Sequence, residues 1–253
     1  MRCLFCGADF LKPLTFQTVF VLDDTPSFCD TCRGRLAAIA PDACCRCCGR
    51  DLSLLESTAV KHHICQDCIW WKHSGRNGLY GTNNALFSYN PLIKEMITRF
   101  KFRGDTALAA GFACDLRCAF HRIVKKGSTW RQRLFMTDSS QFVIIPIPVS
   151  AHRLRERGFN QAEVLAELIG PPIVQGLVRE KHEMKQSKKN RRQRLASRES
   201  PFQLNKECIH LLENKKILLI DDIYTTGVTM RLAAHTLIPA HPLSVDSLTL
   251  IHG

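Results

Sequence analysis

The stretch "ILLIDDIYTTGVT" (217–229) constrains the fold more than any other part of this chain. Four consecutive apolar residues read as a strand buried on both faces. They run directly into Asp221 and Asp222, and unpaired carboxylates are not tolerated in a core, so the strand must end at a surface or a site. "TTGVT" follows at once, and "VTMRLAAHTLI" (228–238) has helical spacing. A strand, a tight polar turn and a helix N-terminus make an anion site. Backbone N–H groups there bind phosphate, and the hydroxyls of Thr225, Thr226 and Thr229 add donors. Gly227 lets the backbone approach closely. The two carboxylates repel phosphate but accept hydrogen bonds from sugar hydroxyls and help to anchor a hydrated Mg²⁺. The stretch therefore fits a sugar phosphate.

The surrounding chain supplies the matching scaffold. "PLIKEMITRFKF" (91–102) places apolar residues at 92, 93, 96, 97 and 100, a helical spacing, and 106–124 reads as a second helix. "FVIIPIPV" (142–149) reads as a buried strand, and 159–170 as a helix stopped by Gly170 and Pro171. Strands are expected at 172–178, 215–222 and 244–252. This alternation predicts an α/β fold, a mostly parallel sheet flanked by helices. In such sheets ligands bind outside the carboxyl ends of the strands, where Asp221 and Asp222 fall.

Ten of the thirteen cysteines lie in the first 68 residues. They form Cys3-x-x-Cys6, Cys29-x-x-Cys32, Cys45-x-x-Cys48 and Cys65-x-x-Cys68, with Cys44 and Cys47 as an overlapping fifth pair. Zn²⁺ takes four tetrahedral ligands, and two such knuckles provide them. Sequential pairing gives two structural zinc sites: Cys3, Cys6, Cys29 and Cys32, then Cys45, Cys48, Cys65 and Cys68. The linkers within each site are 22 and 16 residues. The register at "CCRCCGR" stays open between Cys45/Cys48 and Cys44/Cys47. His62 and His63 read as an exposed loop pair or as replacement ligands, and Cys114, Cys118 and Cys208 as core or near-core residues. Composition shifts near residues 72–81, so the expected organisation is a small N-terminal double zinc ribbon (1–75) and an α/β domain (76–253).

The formal net charge is +12, which favours an anionic partner. Residues 179–198 alone carry nine Lys/Arg against two Glu. This run, with Lys188, Lys189, Arg191 and Arg192 at its centre, reads as a solvated charged loop or as a nucleic-acid patch. Trp70, Trp71 and Tyr80 read as stacking platforms for bases or as packing between the ribbon and its neighbour. No run approaches the length of a membrane span, and the start has no apolar h-region, so a soluble cytoplasmic protein is expected.

"ILLIDDIYTTGVT" resembles the phosphoribosyl-pyrophosphate (PRPP) motif of type I phosphoribosyltransferases. In that fold the loop after the first core strand meets the pyrophosphate, which gives "PIPVSAHRLRERGFNQAEVLA" a role: Arg153, Arg155 and Arg157 supply charge, and Gly158 a tight turn. Together with the cysteine series and "FKFRGD" (100–105), the chain is similar to the ComF family. The resemblance implies a type I phosphoribosyltransferase-like domain behind a zinc ribbon and a part in natural transformation. It implies handling of incoming single-stranded DNA alongside a competence DNA-dependent ATPase (ComFA-like). It further implies PRPP with Mg²⁺ held by Asp221, Asp222, Thr225, Thr226, Gly227, Thr229, Arg153 and Arg157. In the enzymatic version Asp221 and Asp222 are the catalytic pair, and the resemblance implies that the run 179–198, with Lys188, Lys189, Arg191 and Arg192, is a mobile lid that closes over PRPP. The extra Cys44 and Cys47 depart from the usual family pattern.

Overall fold

The computed structural model describes residues 1–11, 27–75, 78–102, 104–126, 139–179 and 200–253. The first elements belong to the cysteine-rich segment. A short helix α1 (Asp30–Gly34) is followed by a hairpin of β1 (Val60–Lys61) and β2 (Ile64–Cys65), then α2 (Gln66–His73). His62 and His63 form the hairpin's two-residue turn, with φ of 50° and 59°. That is the left-handed pair a tight primed turn demands. Both are exposed.

The larger part begins with strand β3 (Tyr80–Ser88), then α3 (Pro91–Phe102), α4 (Ala107–Ala110) and α5 (Ala113–Lys126). Strand β4 (Phe142–Pro146) leads into α6 (Ala151–Arg157) and α7 (Gln161–Glu167). A small antiparallel pair, β5 (Leu177–Arg179) and β6 (Phe202–Leu204), precedes α8 (Ile209–Leu212). Strand β7 (Lys216–Tyr224), helix α9 (Val228–Leu237) and strand β8 (Ser244–His252) complete the chain. The main sheet has the order β3-β8-β7-β4, and each neighbouring pair is parallel. The α/β architecture read from the sequence is the one observed.

The period-two alternation of strands divides the core into two halves. Ile144, Leu218 and Ile220 face one side with α3, α5 and α7, whereas Val143, Ile145, Ile217 and Leu219 face the other with α8 and α9. The chain leaving β4 thus returns over one face as α7, and the chain leaving β7 returns over the other as α9. Between the carboxyl ends of β4 and β7 lies the topological switch point, the place where an open α/β sheet offers a crevice. The cysteine groups are divided as well: Cys3, Cys29 and Cys32 join the first face, and Cys45, Cys48, Cys65 and Cys68 the second.

Strand β3 was not legible as a strand, because "YGTNNALFS" puts two asparagines in its middle. The structure accounts for Asn83, which is 3% exposed. Its Nδ2 donates to the Cys48 carbonyl (2.9 Å) and to Thr249 Oγ1 (3.1 Å), and its Oδ1 accepts from Ser247 Oγ (2.7 Å). One side chain thus joins a cysteine knuckle to the edge of the sheet. Asn83→Ala strands the knuckle carbonyl and the Thr249 hydroxyl, leaves Ser247 Oγ with Tyr80 as its remaining partner, and is expected to cost about 2–4 kcal/mol in urea unfolding. An unchanged unfolding midpoint would contradict this account.

Three expectations need correction. The single helix over 106–124 is broken between α4 and α5, where Gly111 lies so close to Phe28 that an added Cβ would sit 2.4 Å from its ring. The strand over 172–178 shrinks to one bridge, Ile173 to Ile144, followed by β5. Gly176 passes Ile145 there with no room for a side chain, its hypothetical Cβ lying 2.9 Å from Ile145 Cδ1. Cys114 and Cys118 are exposed rather than buried, because the inward stripe of α5 is Ala113, Leu116, Ala119, Phe120, Ile123 and Val124. Cys208 is half-buried. Among the described residues no helix is long and apolar enough to cross a membrane.

Candidate functional site

The sequence from β7 to α9 forms the strand, turn and helix that its composition demands. β7 continues through both aspartates to Tyr224, two residues further than the strand expected over 215–222. Gly227 then caps α9 with φ 75° and ψ 5°. No other residue fits there, since a Cβ would fall 2.0 Å from the Tyr224 hydroxyl and 2.2 Å from Arg231 Nη1. Thr225 and Thr229 are exposed and Thr226 half-buried. The loop therefore places solvent-accessible threonines at a helix N-terminus, where backbone N–H groups can receive an anion.

The aspartates differ. Asp222 is 7% exposed and forms an ion pair with Lys101 from the end of α3. Asp221 accepts the Asp222 backbone N–H at 2.9 Å. Burial, reinforced by the neighbouring Asp222 charge, pushes the Asp221 carboxyl up to about 8. Adjacent acidic groups at a strand end are thus held in a poised state, one of them tied to a lysine. Lys101 belongs to the "FKFRGD" stretch, but nothing local to it signals an aspartate 121 residues away.

The loop after β4 supplies positive charge. Ser150 caps α6 by accepting the Arg153 N–H at 3.2 Å, and Gly158 ends the helix at φ 79°. Arg153 and Arg155 are exposed. Arg157 turns inward: Nη1 donates to Gln161 Oε1 at 2.8 Å, and the guanidinium lies 5.3 Å from the Phe102 ring. Burial, then the nearby Arg153 charge, lowers its pKa, while Asp222 works in the opposite sense. Arg157 Nε and Gln161 Nε2 are buried donors without a hydrogen-bond partner among the described residues. Arg157 and Gln161 therefore retain capacity for an anion beside Asp222. The basic residues Lys188, Lys189, Arg191 and Arg192 lie outside the described residues.

The cysteines form two groups of the same construction. In each, four Sγ atoms lie within 4.8 Å of one another: Cys3, Cys6, Cys29 and Cys32, and Cys45, Cys48, Cys65 and Cys68. Each first knuckle ends on a left-handed glycine, Gly7 (φ 75°) or Gly49 (φ 71°). Each second knuckle starts a helix, with Cys29 or Cys65 as its N-cap. The first thiol accepts the N–H of the third cysteine in both, Cys29 N to Cys3 Sγ at 3.3 Å and Cys65 N to Cys45 Sγ at 3.4 Å. Cys6 and Cys29 Sγ are 3.7 Å apart, and Cys48 and Cys65 Sγ 3.6 Å. A tetrahedral zinc with bonds of ~2.3 Å needs sulfurs about 3.8 Å apart. Burial works to raise the Cys3 thiol, but backbone N–H groups of Cys29 and Cys6 outweigh it and hold it at about 6. Both groups can hold a metal ion and suit zinc. Cys44 stands apart, its thiol donating to the Pro41 carbonyl at 3.3 Å.

A family model for the phosphoribosyl transferase domain matches residues 119–253. The competence protein ComFC of Bacillus subtilis (strain 168) is 36% identical to this chain over 258 residues, covering 99% of the chain and 95% of the relative. ComFC of Streptococcus pneumoniae (strain ATCC BAA-255 / R6) is 33% identical over 252 residues, covering 99% and 100%.

The chain belongs to the ComFC family of competence proteins.

In this chain the aromatic residues near the second cysteine group are mostly structural. Trp71 is 5% and Tyr80 4% exposed, whereas Trp70 remains 44% exposed. The Tyr80 hydroxyl pairs with Ser247 Oγ at 2.6 Å. Trp71 reaches the phosphate-loop candidate: its Nε1 donates to the Thr226 carbonyl at 2.9 Å. That link joins residues 155 apart and had no signal in the sequence.

Proposed function

We propose that this ComFC-family protein binds PRPP with Mg²⁺ at the crevice between β4 and β7, and acts in natural transformation on incoming single-stranded DNA. The observation that carries the reading is the conjunction at β7: two carboxylates followed by a left-handed Gly227 that tolerates no side chain, at the start of α9. In this reading Thr225, Thr226, Gly227 and Thr229 hold the 5′-phosphate, and Asp221 and Asp222 accept the ribose hydroxyls. Arg153 and Arg157 take the pyrophosphate. Mg²⁺ bound with PRPP neutralises the diphosphate, and the aspartates are its anchors in this chain. Zn²⁺ fills the two four-cysteine groups and is structural, because four thiolates within reach of one another complete a tetrahedral shell. The protein is cytoplasmic and works with a DNA-dependent ATPase of the ComFA type.

A second reading makes the site an enzyme. A nitrogen nucleophile forms a bond to the anomeric carbon while the bond to the pyrophosphate oxygen breaks, and pyrophosphate leaves with the electron pair. Asp221 and Asp222 stabilise the positive charge that builds on the ribose. The intact acidic pair favours this reading, since a DNA scaffold alone has no need of it.

Calorimetric titration with PRPP and Mg²⁺, with and without single-stranded DNA, tests the site. One saturable site is expected, lost on Asp221→Ala with Asp222→Ala at unchanged zinc content. Unchanged affinity in the double variant would remove the assignment. The basic run is proposed to contact DNA phosphates. Replacing Lys188, Lys189, Arg191 and Arg192 by Ala should then flatten the dependence of DNA affinity on salt, by up to about 0.7 per lost contact in the logarithmic slope. A slope equal to that of the unaltered protein would place the contact elsewhere.

A further inference from the structure

The second four-cysteine group and the candidate phosphate loop are adjacent in space although far apart in sequence. Cys68 is followed on α2 by Trp71, which is buried. From there the indole Nε1 donates to the Thr226 carbonyl at 2.9 Å. One residue further along the loop, the Gly227 carbonyl accepts from the backbone N–H of Arg231 (3.1 Å) and from its Nη1 (3.2 Å). Arg231 is itself 7% exposed. Its guanidinium lies 4.2 Å from the Trp71 ring and 5.0 Å from the Tyr80 ring, and Nη1 also donates to the Tyr224 hydroxyl at 3.0 Å. Trp71, Tyr80 and Arg231 thus form one stacked floor beneath the loop.

The geometry of the peptide unit gives this floor a consequence. In a trans peptide the carbonyl of one residue and the N–H of the next point in opposite directions, and the described residues contain no cis bond. Anchoring the Thr226 carbonyl downward on Trp71 therefore aims the Gly227 N–H upward. Anchoring the Gly227 carbonyl on Arg231 aims the Val228 N–H upward. Those two amides are the donors that a phosphate at the start of α9 would use. Left unanchored, each peptide plane could rotate with little cost, because Gly227 has no side chain to restrict it.

We propose that Trp71 and Arg231 are positioning residues for the phosphate loop: the helix of the second four-cysteine group, through Trp71, fixes the orientation of the loop amides that receive the anion. The proposal rests on the PRPP reading for its ligand, but the ordering of the loop does not depend on it. It assigns to the cysteine-rich segment a role in ligand affinity beyond holding itself together. It also explains why an aromatic residue with a ring N–H stands at 71. Phenylalanine would keep the stacking and lose the hydrogen bond.

The test uses the full-length, metal-loaded protein and the variant Trp71→Phe. Hydrogen exchange by mass spectrometry is followed over 224–229 and over the rest of the chain, with metal content measured on the same samples. The expected result is two equivalents of metal retained, exchange over 224–229 about tenfold faster, and no change in the strands. PRPP with Mg²⁺ should bind about tenfold more weakly to the variant. Exchange over 224–229 equal to that of the unaltered protein would overturn the proposal. If the unaltered protein fails to bind PRPP, the ligand assignment falls, while the exchange data still decide whether Trp71 orders the loop. Should Trp71→Phe lose metal, Arg231→Lys carries the test from the other anchor. It leaves α2 and the cysteines intact and is expected to loosen the adjacent Gly227–Val228 peptide, which then keeps only the Arg231 backbone N–H. Unaltered exchange there would overturn the proposal equally.

Discussion

Cys65→Ser with Cys68→Ser is expected to remove one equivalent of metal and to abolish cooperative unfolding of the whole protein. The four cysteines of that group are 0–2% exposed and pack in one core with Tyr80, Tyr224, Met230 and Ile217. Their loss therefore opens an entire face of the sheet rather than a peripheral loop. A structural zinc site contributes on the order of 10 kcal/mol to folding. A domain's whole stability is about 5–15 kcal/mol, so no reserve remains to absorb that loss. Cys44→Ser with Cys47→Ser is the control and should keep both equivalents, since neither thiol belongs to a group of four. Atomic absorption and a thermal scan read the two variants. Two equivalents of metal retained in Cys65→Ser with Cys68→Ser would disprove the assigned ligands.

The features legible in the sequence were those with local causes. Buried strands β4, β7 and β8 carry unbroken or alternating apolar runs, α3 carries helical spacing, and the knuckles carry their own two-residue gap. Gly227 was readable because a tight turn needs it, and Gly49 because it follows a knuckle. The features that were missed depend on partners far along the chain. Asn83 sits in a strand only because Cys48, Ser247 and Thr249 satisfy it. Lys101 becomes part of the site only because α3 ends beside Asp222. Residue 111 has to be glycine because Phe28, 83 positions earlier, fills the space a side chain would take. The same rule explains the placement of the cysteine groups. Spacing pairs the ligands, but the face of the sheet on which each group packs is set by contacts far along the chain.

Asp221 should make both stability and ligand affinity depend on pH, in opposite directions. Its carboxyl is held at about 8 in the folded protein, against an ordinary value near 3.8. Between these values the folded chain keeps a proton that the unfolded chain has lost. Stability conferred by that proton is complete below pH ~4 and declines as pH rises toward 8, where the slope ends. Asp221→Asn removes the titrating group. It should flatten this decline and raise stability at pH 8 by roughly 3–5 kcal/mol, read from urea unfolding at pH 5, 6.5 and 8. Ribose hydroxyls and hydrated Mg²⁺ require the carboxylate, so binding must expel the proton. PRPP affinity is expected to fall about tenfold for each unit of pH below 8, with about one proton released per site. Calorimetry in two buffers of different ionisation enthalpy counts that proton directly. If affinity were constant from pH 6 to 8 and no proton were released, Asp221 would not meet the ligand as a carboxylate. The destabilisation it causes in the unliganded protein would then need another explanation. If the proton is released, the strain stored at the strand end is the cost of keeping a second carboxylate ready beside Asp222 for a ligand that alone can discharge it.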